Sequence, residues 1–125
     1  MSDAGEVRHE LARQVRDRLV EAGLPAYLPS DGFHYSGADI EVDLDNEQAG
    51  VFVTWQVGEE LSRAVTASII NDQADDPSVE RSAAITLVMR DALMTILEAE
   101  GFSVENSGDH MRPAALQVLS VPAAG

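Results

Sequence analysis

The sequence predicts an α+β domain: an antiparallel sheet of four or five strands with helices packed on one face, in the order α-β-β-β-α-α-β-β. Three observations lead to this prediction. Residues 38–57 alternate between apolar and polar with a period of two, which is typical of a half-buried β-hairpin. Residues 59–72 and 77–100 instead repeat apolar residues at helical spacing. Because strands and helices come in separate runs, a doubly wound parallel sheet is disfavoured.

Length and composition favour one domain. The chain has 125 residues, of which 45% are hydrophobic and 24% charged, enough for one core but hardly for two. We therefore expect a single domain over residues 1–125, with 1–4 and 122–125 as loose ends. No apolar run approaches a membrane span and no signal peptide precedes the first helix, so a cytoplasmic location is expected. Cys is absent, which excludes disulfides, thiolate metal sites and Cys catalysis.

The charge of the chain is strongly acidic and unevenly distributed. The formal net charge is −14. Residues 1–24 hold four Arg and five acids, whereas the rest of the chain holds four Arg and seventeen acids. Contacts to phosphates or anionic lipids need clustered cations, so nucleic acid and membranes are disfavoured as partners. The expected partner is a protein, and a basic one.

The first predicted helix spans about Gly5 to Ala22. Gly23 can cap it and Pro25 prevents its continuation. Pro25–Asp31 is predicted to be a connector, and Phe33–Tyr35 a short strand that leads into the hairpin as part of a three-stranded meander. The apolar stripe of this helix consists of Val7, Leu11, Val15, Leu19 and Ala22.

The hairpin is predicted to pair Leu44 with Val51, which places four apolar pairs on the core face. A one-residue slip would bury the acids of the first arm, so that slip is excluded. If no helix covers the opposite face, Phe52 would be an exposed aromatic ringed by acids and an anchor for a basic partner. The alternative is a lone surface Phe. The predicted partner-binding residues on this face are Asp39, Glu41, Asp43, Phe52, Thr54 and Gln56.

Two consecutive helices follow the hairpin, over Glu59–Asp72 and Pro77–Glu100. Asp76 is the expected N-cap of the second, and Gly101 its C-terminal cap. The apolar residues of this long helix cover most of its circumference, so more than one side must be buried. We expect it to pack between the sheet and the other helices, or to bind a second copy of the chain in a homodimer. Strands over residues 102–105 and 115–121 complete the fold.

The sequence contains no catalytic or metal-binding motif, so the prediction names no catalytic residue, no metal and no cofactor. An EF-hand loop that began at Asp45 would have Gln56 where Glu is required. The three histidines (His9, His34 and His110) are far apart in sequence. An exposed row of carboxylates also lacks the opposed environments that acid–base catalysis requires.

The leading functional hypothesis is a small acidic protein-interaction module, non-enzymatic and dimeric through the long helix. Two observations motivate an adaptor or chaperone-like role: the missing catalytic motifs, and the surplus apolar surface of the long helix beside an acidic sheet face. In size, charge and element types the chain is similar to secretion chaperones, but its two consecutive helices depart from their plan, so no family is assigned. Two alternatives stay open. One is an inhibitor or immunity-like protein that mimics nucleic-acid charge. The other is a small-ligand-binding domain or enzyme with a site near His34 or His110.

Overall fold

The computed structural model describes residues 4–43, 50–73, 75–107 and 114–120. Within these residues the chain forms three α-helices and one five-stranded sheet, which confirms the predicted α+β class and the order of elements. The elements are α1 (Ala4–Glu21), β1 (Ala26–Tyr27), a 3-10 helix (Pro29–Asp31), β2 (Gly37–Val42), β3 (Val51–Gln56), α2 (Glu59–Ile70), α3 (Pro77–Ala99), β4 (Ser103–Asn106) and β5 (Leu116–Ser120).

The sheet is mixed, and this corrects the prediction of a purely antiparallel sheet. Its strand order is β1-β2-β3-β5-β4, and β1 runs parallel to β2. The first strand is Ala26–Tyr27, inside the predicted connector, whereas Phe33–Tyr35 is a loop. Side-chain contacts explain the difference: the His34 ring stacks on Tyr27 with centroids 4.0 Å apart, which folds this segment back over β1. These tertiary contacts override the strand propensity of the aromatic residues.

The β2–β3 hairpin keeps the predicted faces but not the predicted register. Val42 pairs with Val51 and Ile40 with Val53, a shift of two residues from the predicted pairing. The side chains of a strand alternate with a period of two, so this shift leaves every side chain on its predicted face. The apolar pattern therefore could not decide between the two registers. Leu44 and most of the connecting loop lie outside the described residues.

Helices α1 and α3 cover one face of the sheet. The buried stripe of α1, including Val15 and Leu19, packs over β1, β2 and β3. The carboxyl-terminal half of α3 buries Leu93 and Leu97 against the sheet, over β3 and β4. Together with the inward residues of β2, β3 and β5 they form one continuous hydrophobic core.

The ends of α3 are capped as the sequence predicts. The Asp76 side chain accepts a hydrogen bond of 2.9 Å from the backbone N–H of Ser78, and this bond lowers the pKa of Asp76. At the other end Gly101 adopts a left-handed conformation with φ of 95°. Phe102 then folds back and is buried, and its N–H donates to the carbonyl of Leu97. Both caps fix where α3 begins and ends relative to the sheet.

Helix α2 packs mainly against α3 and not against the sheet. Ser68 is its only fully buried residue, and the Ser68 hydroxyl donates to the carbonyl of Ala64 at 2.9 Å. The Ser68 and Ser78 hydroxyls lie 3.4 Å apart where the two helices meet. The α2–α3 contact is thus small and partly polar, which leaves much of both helices exposed.

Candidate functional site

The structure places four of the six predicted partner-binding residues side by side on the sheet face opposite the helices, here called the second face. Glu41 pairs with Phe52 and Asp39 pairs with Thr54 across the hairpin. Gln56 pairs with Gly37 at the end of β3, and Asp43 follows the last residue of β2. Sequence reasoning therefore grouped these residues on the correct face, with different cross-strand neighbours.

Phe52 is buried, with only 5% of its surface exposed. Its cross-strand neighbours are Glu41 on β2 and Gln117 on β5, so it lies at the centre of the sheet. Phe52 therefore does not form the exposed aromatic anchor that the sequence pattern left open. A partner that binds the second face would contact the acids around Phe52, not the ring itself.

Among the described carboxyls of this face, Asp39 has a clearly shifted pKa. Partial burial raises the pKa of Asp39 above its ordinary value, and the negative charge of Glu41 raises it further. The two side chains are two residues apart on one strand and therefore point to the same side. A cation placed between them would stabilise both ionised forms.

We expect Asp39→Asn to increase the free energy of unfolding near neutral pH. The pKa of Asp39 is higher in the folded chain than its ordinary value of 3.8, so ionised Asp39 opposes folding. The free energy of unfolding falls as the pH rises from 3.8 through the raised pKa of folded Asp39. Asp39→Asn removes this fall because Asn does not ionise. The expected gain is only about a few tenths of a kcal/mol, since the group is partly exposed and screened.

Urea unfolding followed by circular dichroism over a pH series measures this effect. The gain should disappear at acidic pH, where Asp39 is protonated in both states. Asp91→Asn, at an exposed carboxyl on α3, is the control. If Asp39→Asn raised the free energy of unfolding equally at acidic and neutral pH, the raised pKa of Asp39 would not be the cause.

Arg8 contacts the end of β2, next to the acids of the second face, and sequence reasoning did not predict this contact. Its Nη1 donates a hydrogen bond of 3.0 Å to the backbone oxygen of Asp43, thirty-five residues away. The contact ties the first turns of α1 to the end of β2. No periodic signal in the sequence links these positions, because the contact depends on how α1 crosses the sheet.

The histidines do not form a shared site among the described residues. The Nε2 atom of His34 lies 2.9 Å from the backbone oxygen of Asp31, and its ring stacks on Tyr27. His9 lines a small cavity of about 110 Å³ beside Arg13 and Leu28. His110 lies outside the described residues. Over the described ranges, no group of three or more His, Asp or Glu is arranged to hold a metal ion.

A second candidate surface lies on α2 and α3. Four large apolar side chains on these helices are 46–76% exposed: Ile69, Ile70, Leu87 and Val88. Of these four, Ile70 also lines a cavity of about 300 Å³ between Tyr35 and α2. In the described part of the chain no helix is both long and apolar enough to cross a bilayer. Single exposed apolar side chains are normal on a protein surface, so it is the presence of four on two neighbouring helices that makes this surface a candidate.

Comparisons with known proteins identified no relative of this chain. No protein-family model matches the chain, and no curated protein or solved structure shows significant similarity to it. The candidate surfaces therefore rest on the geometry and charge of this chain alone.

Proposed function

We propose that the chain is a cytoplasmic, non-enzymatic protein-interaction module of adaptor or chaperone-like type, and that it works as a homodimer through α2 and the long helix α3. The observation that carries the proposal is the exposure of Ile69, Ile70, Leu87 and Val88 on the two helices. A helix hairpin that buries so little of its apolar surface within the chain is stabilised when another surface covers it.

A second copy of the chain fits this surface for two reasons. In a two-fold dimer the same patch is buried on both subunits at once, so four side chains contribute twice. Charge also favours this location. Of the four Arg beyond residue 24, three lie on α2 and α3, namely Arg63, Arg81 and Arg90. These Arg partly balance the five acids of the same helices (Glu59, Glu60, Glu80, Asp91 and Glu98), whereas β2 and β3 carry Asp39 and Glu41 with no Arg.

Sedimentation velocity over a concentration series tests the proposal. The wild-type chain should sediment as a dimer at high concentration. Val88→Asp adds a negative charge to the proposed interface of both subunits and removes apolar contact, so the dissociation constant should rise by at least about tenfold.

Thr95→Asp is the matched control, because Thr95 is an exposed polar position on the same helix and the substitution adds the same charge. It should leave the dimer intact. A wild-type chain that stays monomeric throughout the series would refute the dimer. Dimers of equal affinity for wild type and Val88→Asp would refute this interface.

A further inference from the structure

The outer edge of β2 is only half covered. The two-residue strand β1 pairs with Ala38 and Asp39, and the 3-10 helix that begins at Pro29 then lies beside β2 without pairing with it as a strand. In the described part of the chain, residues 40–42 of β2 therefore have no strand partner on this side, a length of roughly three extended residues.

The backbone of β2 directs hydrogen-bonding groups out of this edge. The N–H of Asp43 donates to Gly50 on the β3 side, whereas the N–H of Ala38 donates to Pro25 on the β1 side. Alternate residues of a strand direct their N–H and carbonyl groups to opposite sides. Val42 therefore directs both groups to the uncovered edge, as Ala38 does beside β1. An added strand could pair with them.

A groove runs along this edge. Its volume is about 460 Å³, and it is broadly open to solvent. One wall is β2 from Asp39 to Val42, and the other is built by Pro29, Gly32 and Phe33. The Phe33 ring is 63% exposed and lies edge-on to the Tyr35 ring, with centroids 4.9 Å apart. The groove thus offers one fixed aromatic wall opposite a strand edge.

Two carboxylates give the groove a negative charge. Asp39 and Glu41 both line it, on the wall opposite Phe33. Arg8 contacts the backbone oxygen of Asp43, beyond the last residue of β2. A Lys or Arg side chain in the groove can place its aliphatic stem on Phe33 and its charged group at the carboxylates. Both the charge and the shape of the groove match an extended basic segment.

We propose that this groove binds an extended segment of a partner protein, which adds a strand beside Ile40–Val42 and places a Lys or Arg side chain between Phe33 and the carboxylates of Asp39 and Glu41. Recognition of this kind takes affinity from main-chain hydrogen bonds and specificity from alternate side chains. The inference rests on the proposed interaction function and names the class of partner.

Fluorescence anisotropy with three labelled peptides tests the proposal on the full chain. The first peptide alternates Val and Thr around a central Arg. The second replaces that Arg with Glu, and the third keeps Arg but carries N-methyl groups on alternate backbone amides. The first peptide should bind, the second should bind at least about tenfold more weakly, and the third should lose binding.

Protein variants locate the binding site. Asp39→Asn and Phe33→Ala should each weaken binding of the Arg peptide, by at least about threefold. Asp91→Asn and Leu119→Ala, at exposed positions outside the groove, should leave it unchanged. No binding of the Arg peptide, equal binding of all three peptides, or unchanged binding to both groove variants would overturn the proposal.

The peptide-binding test and the dimer test can fail independently of each other. Val88→Asp lies on α3, away from the groove residues, and should bind the Arg peptide as wild type does. A chain that dimerises without binding peptide refutes the groove alone. A monomer that binds peptide refutes the dimer alone. If the uncovered edge instead pairs with a second copy of the chain, Val88→Asp will still dimerise and the Arg peptide will fail to bind, which overturns the proposal.

Discussion

Replacement of Leu97 by Ala is expected to lower the free energy of unfolding by about 2–5 kcal/mol. Leu97 is fully buried on α3, where the carboxyl-terminal half of the helix packs against the sheet. The substitution removes apolar contacts and leaves a cavity that rigid neighbours cannot fill.

Urea unfolding measured by circular dichroism quantifies this loss. The control is Leu119→Ala, the same chemical change at a side chain that is 48% exposed on β5, with an expected loss of about 1 kcal/mol or less. Equal losses at Leu97 and Leu119 would show that the contact of α3 with the sheet does not dominate stability.

Gly37→Ala is expected to destabilise the fold by about 1–3 kcal/mol, through steric conflict and not through backbone conformation. A Cβ atom at this position would lie 2.8 Å from Cε2 of Tyr27 and 3.0 Å from the backbone oxygen of Pro25. Both groups belong to the segment that holds β1 beside β2. The strand contact must therefore open to admit a methyl group, which also reshapes the adjacent groove.

Hydrogen exchange identifies where the strain acts. The amide of Ala38, which donates to Pro25 at 2.9 Å, should exchange faster in Gly37→Ala. Gly58→Ala is the control, because among the described residues a Cβ there would meet the Ser36 hydroxyl at an ordinary 3.5 Å and nothing closer. It should leave the exchange of Ala38 unchanged. Unaltered exchange of Ala38 in Gly37→Ala would contradict the close packing of β1 on β2.

Much of the candidate site was predictable because it depends on local periodicity. The alternation in β2 placed Asp39 and Glu41 together on one face, as observed. The same alternation placed Phe52 on the second face but could not predict that Phe52 is buried there. Burial of Phe52 depends on the strands at both sides, and Gln117 is 65 residues away along the chain. Phe33, on the wall of the groove, was predicted in a strand and lies instead in a loop.

The sequence by itself determined which residues form each helix and most strands, where α3 is capped, and which side chains share a face. These properties depend on neighbours within a few residues, through the periods of 2 and 3.6 and through local hydrogen bonds. Only the tertiary structure decided the two-residue register shift, the parallel pairing of β1, and the groove at the uncovered edge of β2. These depend on which distant segments meet, and several pairings bury the same apolar faces equally well.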